Sequence, residues 1–187
     1  MFDREFLIFV LYIFSILEIV IIVKDLRNKK YGLLAENIVL CIAAGLLLYF
    51  NREFRFPIHS LILAFLICTL VGHLFIGEYF DVYHKTKHYD WFLHAFGSFT
   101  FALFAYAVTE NILGPIQSPK SYIPLFVAVI GISIGAIFEI GEFLHDSLSK
   151  KDRKSRHQHG LIDTDFDLIC DVVGSVVAGV LSSVFFH

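Results

Sequence analysis

The residues of this sequence that are best suited to chemistry are acids and histidines that recur at helical spacing in its C-terminal half. Glu139, Glu142 and His145 follow one another at intervals of three residues, which places them on one face of a helix. Helical bundles hold carboxylate-bound metals with a Glu-x-x-His pair at this spacing, because both side chains point at one ion. This segment therefore predicts part of a metal site.

Two further segments carry the same residue types. Asp90 and His94 are one helical turn apart, and Asp163, Asp167 and Asp171 form a stripe at intervals of four residues. If the three helices meet, one pocket collects oxygen and imidazole donors for one or two divalent ions. Mixed ligation of this kind suits Zn, Mn or Fe, and an oxygen-only subset suits Mg. The sequence thus predicts a divalent metal ion as the cofactor.

Each residue of the predicted site has an expected role. We expect the metal ligands to be His94, Glu139, Glu142, His145, Asp163 and Asp167. Asp90 and Asp171 are expected to be catalytic, either as the base or as the group that orients a ligand. Two alternatives stay open: Asp163 is also suited to cap the sixth helix, and His145 to lie at the membrane interface.

The elements that position these residues are predicted to be membrane spans. Of the 187 residues, 57% are hydrophobic and 18% are charged, and the mean hydropathy is +0.70. Soluble domains have about 45–50% apolar and about 25% charged residues. One small globule cannot bury so much apolar surface, and the net charge of −3 suggests no polyanionic partner. The composition argues against a soluble enzyme, a disordered protein and a nucleic-acid binder.

Six stretches approach or exceed the roughly 20 apolar residues that cross a bilayer as a helix. We therefore expect an all-α polytopic membrane bundle with six transmembrane helices, forming one domain over residues 1–187. Small residues at Gly131 and Gly135, and at Gly174 and Ala178, predict close helix packing. The predicted spans are 6–23, 33–50, 58–77, 91–113, 122–145 and 164–186.

The orientation follows from the distribution of Lys and Arg between the loops. Loops 24–31, 78–90 and 146–163 hold eleven of these residues, and the remaining loops and termini hold four. Basic loops stay in the cytoplasm, so both termini are expected on the other side. The clustered acids and histidines then lie at the cytoplasmic ends of the spans, and Glu110 is the one acid of the spans toward the outer face. We expect a multi-pass protein of the inner (cytoplasmic) membrane of the cell.

Three motifs resemble the YjdF-like inner-membrane proteins, a polytopic family associated with the VanZ-like membrane proteins. The segment 89–94 is similar to the family's Y-D-x-x-x-H, 135–142 to its E-x-x-E helix, and 163–174 to its D-T-x-[WF]-D-x-x-x-D-x-x-G. The resemblance covers the last hundred residues by motif and the first three spans by hydropathy. Leu161 stands where the family pattern has a further acid. The resemblance implies a membrane location and a shared polar site, but no particular reaction.

Three functions of different class fit these observations. The first is a metal-dependent enzyme acting on a lipid or phosphate-bearing substrate at the cytoplasmic leaflet, such as a phospholipid or a polyprenyl-type lipid, because metals offset phosphate charge and activate water. The second is a proton- or cation-coupled transporter, although such proteins typically carry internal repeats and broken helices that are not evident here. The third is a structural or assembly protein whose buried charges hold helices together. Membrane lipids are the expected partners, and nucleic acid is not.

Overall fold

A computed structural model describes residues 4–53, 58–83, 85–115, 120–148 and 160–186. Over these residues the secondary structure is entirely helical, which confirms the predicted all-α class. The third helix continues directly into a π-helical segment, Gly72–Tyr79, and short 3₁₀ turns occur at Lys120–Tyr122 and Ser182–Val184. The long helices are α1 (Arg4–Arg27), α2 (Tyr31–Glu53), α3 (Ser60–Val71), α4 (Lys87–Leu113), α5 (Ile123–Leu148) and α6 (Leu161–Leu181).

Each predicted span coincides with one of these helices. Within the described residues, four stretches are long and apolar enough to cross a membrane, namely Ser60–Tyr79, Lys87–Leu113, Ile123–Leu144 and Leu161–Val184. They correspond to the third to sixth predicted spans. Helices α1 and α2 overlap the first two. The six-span topology and the side on which the termini lie stay predictions.

The chain divides into two compact units, residues 1–86 and 87–187. In the first unit, polar side chains near the C-terminal end of α1 form hydrogen bonds to neighbouring elements. This is the end of α1 that is predicted to be cytoplasmic. The Asn37 amide on α2 donates to Asp25 Oδ2 at 2.9 Å, and Lys24 Nζ donates to the main-chain oxygen of Tyr79 at 2.7 Å. Lys24 Nζ also lies 3.6 Å from the centroid of the Tyr79 ring. The single domain over 1–187 that the sequence suggested stays a prediction.

The second unit consists of α4, α5 and α6, which pack at small residues. A Cβ atom at Gly174 on α6 would overlap the main-chain oxygen of Ala95 on α4, so the backbones of these two helices are in contact. A Cβ at Gly131 on α5 would be 2.6 Å from the Ala102 Cβ on α4. These contacts confirm the predicted close packing. They also bring short side chains on different helices within reach of one another.

Candidate metal centre

The three helices of the second unit place acids and a histidine at matched depth. The first turns of α4 and α6 lie together, because Lys87 Nζ is 3.3 Å from Asp163 Oδ1. With a rise of 1.5 Å per residue, His94 lies about 10 Å from the start of α4, and Asp171 about 15 Å from the start of α6. Glu139 lies about 14 Å before the end of α5 by the same measure. His94, Asp171 and Glu139 therefore all lie about 10–15 Å from the ends of their helices.

The imidazole of His94 is the centre of this cluster. Its Nδ1 atom is 3.3 Å from Asp171 Oδ1 on α6, while its Nε2 atom is 3.7 Å from Glu139 Oε1 on α5 and 3.8 Å from Asp90 Oδ1 on α4. Ligand atoms of Asp90, His94 and Asp167 all lie within 4.8 Å of one another, and so do those of His94, Glu139 and Asp171. One ring therefore joins carboxylates from three helices. We call these five residues the His94 cluster.

Three of the four carboxylates of the His94 cluster are removed from solvent, and Asp90 is partly exposed. Glu139, Asp167 and Asp171 are only 4%, 4% and 2% exposed. Asp167 Oδ1 and Asp171 Oδ2 are buried and have no hydrogen-bond partner in the described part of the chain. An ionised carboxylate without a partner is costly to bury, and proteins meet that cost by pairing, metal coordination or protonation. The cluster has an excess of acceptors over donors, which pairing, protonation or a bound cation would offset.

The separations between Nε2 and its two carboxylate neighbours are longer than direct hydrogen bonds. Distances of 3.7 and 3.8 Å to Glu139 and Asp90 exceed the range of an N–H···O hydrogen bond. Two ligand atoms about 2.1 Å from one tetrahedral zinc ion are about 3.4 Å apart. A small contraction of the cluster would bring Nε2 and both carboxylates into a common first coordination sphere. Mixed nitrogen and oxygen donors are the set that suits Zn, Mn or Fe.

Ser98 is a member of the site that the sequence analysis did not single out. Its hydroxyl lies one helical turn beyond His94 on α4 and donates to Asp171 Oδ1 at 2.5 Å. The side chain is 6% exposed. The spacing of four residues from His94 is the signal that would have identified it, since such residues share a helix face.

The structure brings together five of the eight residues predicted for the site, the members of the His94 cluster. Asp163, 5% exposed, contacts Lys87 in the first turn of α6, whose N-cap is Gly160. Glu142 is half-buried one turn beyond Glu139, and it does not belong to either group of potential ligands found among the described residues. His145 belongs to α5, but its side chain lies outside the described part of the structure.

Aromatic and basic side chains lie together near the N-terminal ends of α4 and α6, which also carry members of the His94 cluster. The indole of Trp91 stacks on Phe166 with a centroid separation of 4.7 Å, and the His88 ring meets its edge at 5.0 Å. Lys87 is 64% exposed. Tryptophan and basic residues are enriched at the level of lipid headgroups. This composition agrees with a membrane–water boundary at this end of the helices.

Buried hydroxyl groups extend beyond the His94 cluster into the other half of the second unit. Ser175, one turn after Asp171 on α6, is 0% exposed, and Tyr106 on α4 is 1% exposed. Neither hydroxyl has a hydrogen-bond partner in the described part of the chain. The interior of that half is therefore more polar than the distribution of acids in the sequence indicates.

Comparisons with known proteins identify the family. A protein of Thermotoga maritima, described as an uncharacterized protein, is 31% identical over 103 residues; the match covers 54% of this chain and 51% of the relative. The chain thus spans about half the length of the curated relative it matches. No solved structure matches the chain. The YjdF-like and VanZ-like resemblance stays a prediction. The family described as Predicted membrane protein (DUF2238) matches residues 6–187, so the chain belongs to this family of membrane proteins.

Proposed function

We propose that this protein is a metal-dependent enzyme that acts on a phosphate-bearing lipid at the cytoplasmic leaflet of the cell membrane. The observation that carries the proposal is the arrangement of carboxylates from three helices around the single imidazole of His94. Two of these carboxylates have a buried oxygen without a hydrogen-bond partner in the described residues. A divalent cation held between Nε2 and these acids would neutralise this charge and provide a partner for the Asp167 oxygen.

The proposed ligands follow from the position of each group. His94 Nε2 faces Asp90 and Glu139, and Asp167 has a ligand atom within 4.8 Å of both Asp90 and His94, so these four residues are the proposed ligands. Glu142 and His145 follow Glu139 along α5. They are proposed as ligands of an enlarged or second metal site. The proposed role of Asp163 is to hold the Lys87 side chain between the first turns of α4 and α6, with 3.3 Å between Nζ and Oδ1.

The proposed substrate class rests on the surroundings of the cluster. Trp91 and the exposed Lys87 lie near the N-terminal end of α4, within two turns of His94, and these residue types are suited to the headgroup region of a bilayer. A lysine ammonium binds phosphate as a point charge. When bound, the metal would offset the charge of the phosphate and activate water for its displacement. The headgroup of a phospholipid or polyprenyl-type phosphate would contact Trp91, Lys87 and the metal together.

Metal binding is the first part of the proposal to test. Protein purified in detergent is dialysed against Zn²⁺ or Mn²⁺, and the bound metal is measured by elemental analysis. We expect about one ion per chain in the wild type and none in His94→Ala. His88→Ala is the matched control, because His88 is exposed on the same helix and contacts Trp91 rather than the cluster. Equal metal content in all three proteins would refute the proposal.

The reaction is tested on lipid vesicles. Phosphatidylcholine vesicles that contain phosphatidate or polyprenyl diphosphate are incubated with the loaded protein, and released phosphate is measured. We expect metal-dependent turnover of one of these lipids, which is lost in Asp167→Asn and retained in His88→Ala. A protein that binds metal but turns over neither lipid would contradict the substrate class and leave the metal site in place.

The buried hydroxyls of Tyr106 and Ser175 favour proton-coupled transport as a second candidate. Buried hydroxyl groups without a partner bind water molecules, and a chain of hydrogen-bonded water molecules conducts protons. In proteoliposomes with an imposed pH gradient, this function predicts proton flux that Tyr106→Phe and Asp171→Asn abolish. The enzyme predicts no flux in the wild type, so the measurement separates the two functions.

A further inference from the structure

Asp171 differs from the other carboxylates of the His94 cluster because one of its oxygens receives two donors. Oδ1 accepts the Ser98 hydroxyl at 2.5 Å and lies 3.3 Å from His94 Nδ1. Both donors lie on α4, one helical turn apart, and the acceptor lies on α6. An ionised carboxylate can only accept hydrogen bonds, so with Asp171 ionised the ring proton of His94 lies on Nδ1 in this contact. The second nitrogen, Nε2, then faces Asp90 and Glu139.

We infer that Ser98 and Asp171 are positioning residues that hold the His94 imidazole in the orientation and tautomer required for Nε2 to bind the metal. This inference rests on the proposed metal site and assigns a part of it that the ligand set alone leaves open. Histidine ligands typically donate their other ring N–H to a carboxylate, which fixes the ring and raises its basicity. Here the carboxylate is itself held by a hydroxyl on the same helix as the ligand.

The surroundings of Asp171 restrict its side chain to this position. The residue is 2% exposed, and its Oδ2 would be 2.5 Å from a Cβ atom added at Gly135 on α5. The carboxylate thus fills the space left by the missing side chain of Gly135, and Ser98 holds the other oxygen from the opposite side. Without the Ser98 hydroxyl, the carboxylate loses the hydrogen bond that fixes its terminal torsion, which is a soft degree of freedom. His94 would then lose its fixed partner.

The test compares Ser98→Ala with Ser175→Ala. Both remove one hydroxyl from a buried serine of the second unit, but the Ser175 hydroxyl has no hydrogen-bond partner among the described residues. The dissociation constants of Zn²⁺ and Co²⁺ are measured by competition with a chelator in detergent, together with the visible absorption bands of bound Co²⁺. We expect Ser98→Ala to bind Zn²⁺ about 10- to 100-fold more weakly than the wild type and to shift the Co²⁺ bands. Ser175→Ala should retain both properties, and Ser98→Thr, which keeps the hydroxyl, should restore them.

Asp171→Asn provides a second route to the same answer if Ser98→Ala does not fold. An amide of the same shape no longer enforces protonation at Nδ1, so the histidine is free to adopt the other tautomer, as in the Asp→Asn variant of a serine-protease triad. Zn²⁺ affinity should fall at least as far as in Ser98→Ala. Equal affinities and unchanged Co²⁺ bands in these variants would overturn the inference and leave the metal site standing. A wild-type protein that binds neither ion would overturn both.

Discussion

The contact between Gly174 and α4 predicts that one added methyl group destabilises the second unit. In Gly174→Ala the new Cβ would lie 2.8 Å from the carbonyl carbon of Ala95 and 3.1 Å from its Cα. Ordinary carbon–carbon contacts begin near 3.5 Å and the Ala95 oxygen is nearer still, so α6 must move from α4 by more than about 0.7 Å. Overpacking costs about 1–3 kcal/mol. Because the obstacle is main chain rather than a flexible side chain, we expect about 2–3 kcal/mol.

Gly141→Ala is the matched control for this prediction. Gly141 lies within α5 of the same unit, and a Cβ there meets nothing within 4 Å. The substitution should raise the free energy of unfolding by up to about 1 kcal/mol, because glycine is a poor residue for a helix interior. Both variants are unfolded in detergent micelles, with helix content followed by circular dichroism. Stabilisation of the same size in both variants would refute the close backbone contact.

Three further predictions concern the His94 cluster. Gly135→Ala should displace the Asp171 carboxylate and weaken Zn²⁺ binding by at least 10-fold in the chelator competition, since the new Cβ would lie 2.5 Å from Oδ2. Zn²⁺ at 100 times its dissociation constant should stabilise the protein by about 2.7 kcal/mol, and an excess of chelator should abolish this gain in a melting experiment. Lys87→Met should change the free energy of unfolding by less than about 1 kcal/mol, because the lysine is 64% exposed; a larger loss would mean that the contact with Asp163 is shielded from water.

Hydropathy and spacing were sufficient to locate the helices and the faces that carry the cluster. Acids recur at intervals of four residues on α6, which predicts that Asp163, Asp167 and Asp171 lie on one stripe of the helix. All three are buried. Burial follows from sequence here because a stripe of acids in an apolar helix has to face the protein interior. The general location of the site was therefore predictable.

The membership of the cluster was not predictable, because it depends on helix rotation and depth. Three residues advance a helix by about 300° and about 4.5 Å, so Glu142 is rotated by about 60° from Glu139 and lies nearer the helix end. A spacing rule cannot decide which of the two faces His94. Ser98 was overlooked for a related reason: a serine in an apolar helix commonly bonds to its own backbone, as Ser133 does to Val129. Its bond to another helix depends on the close approach of α4 and α6.

Every member of the His94 cluster belongs to the unit formed by residues 87–187. This concentration has an evolutionary consequence. The proposed chemistry would constrain three helices directly, whereas the first 86 residues have buried polar groups of their own to keep, such as Asp25 and Asn37. Homologues of different total length would keep the site if they share the C-terminal hundred residues. The C-terminal unit is thus the part that a gene fusion or truncation would have to inherit intact.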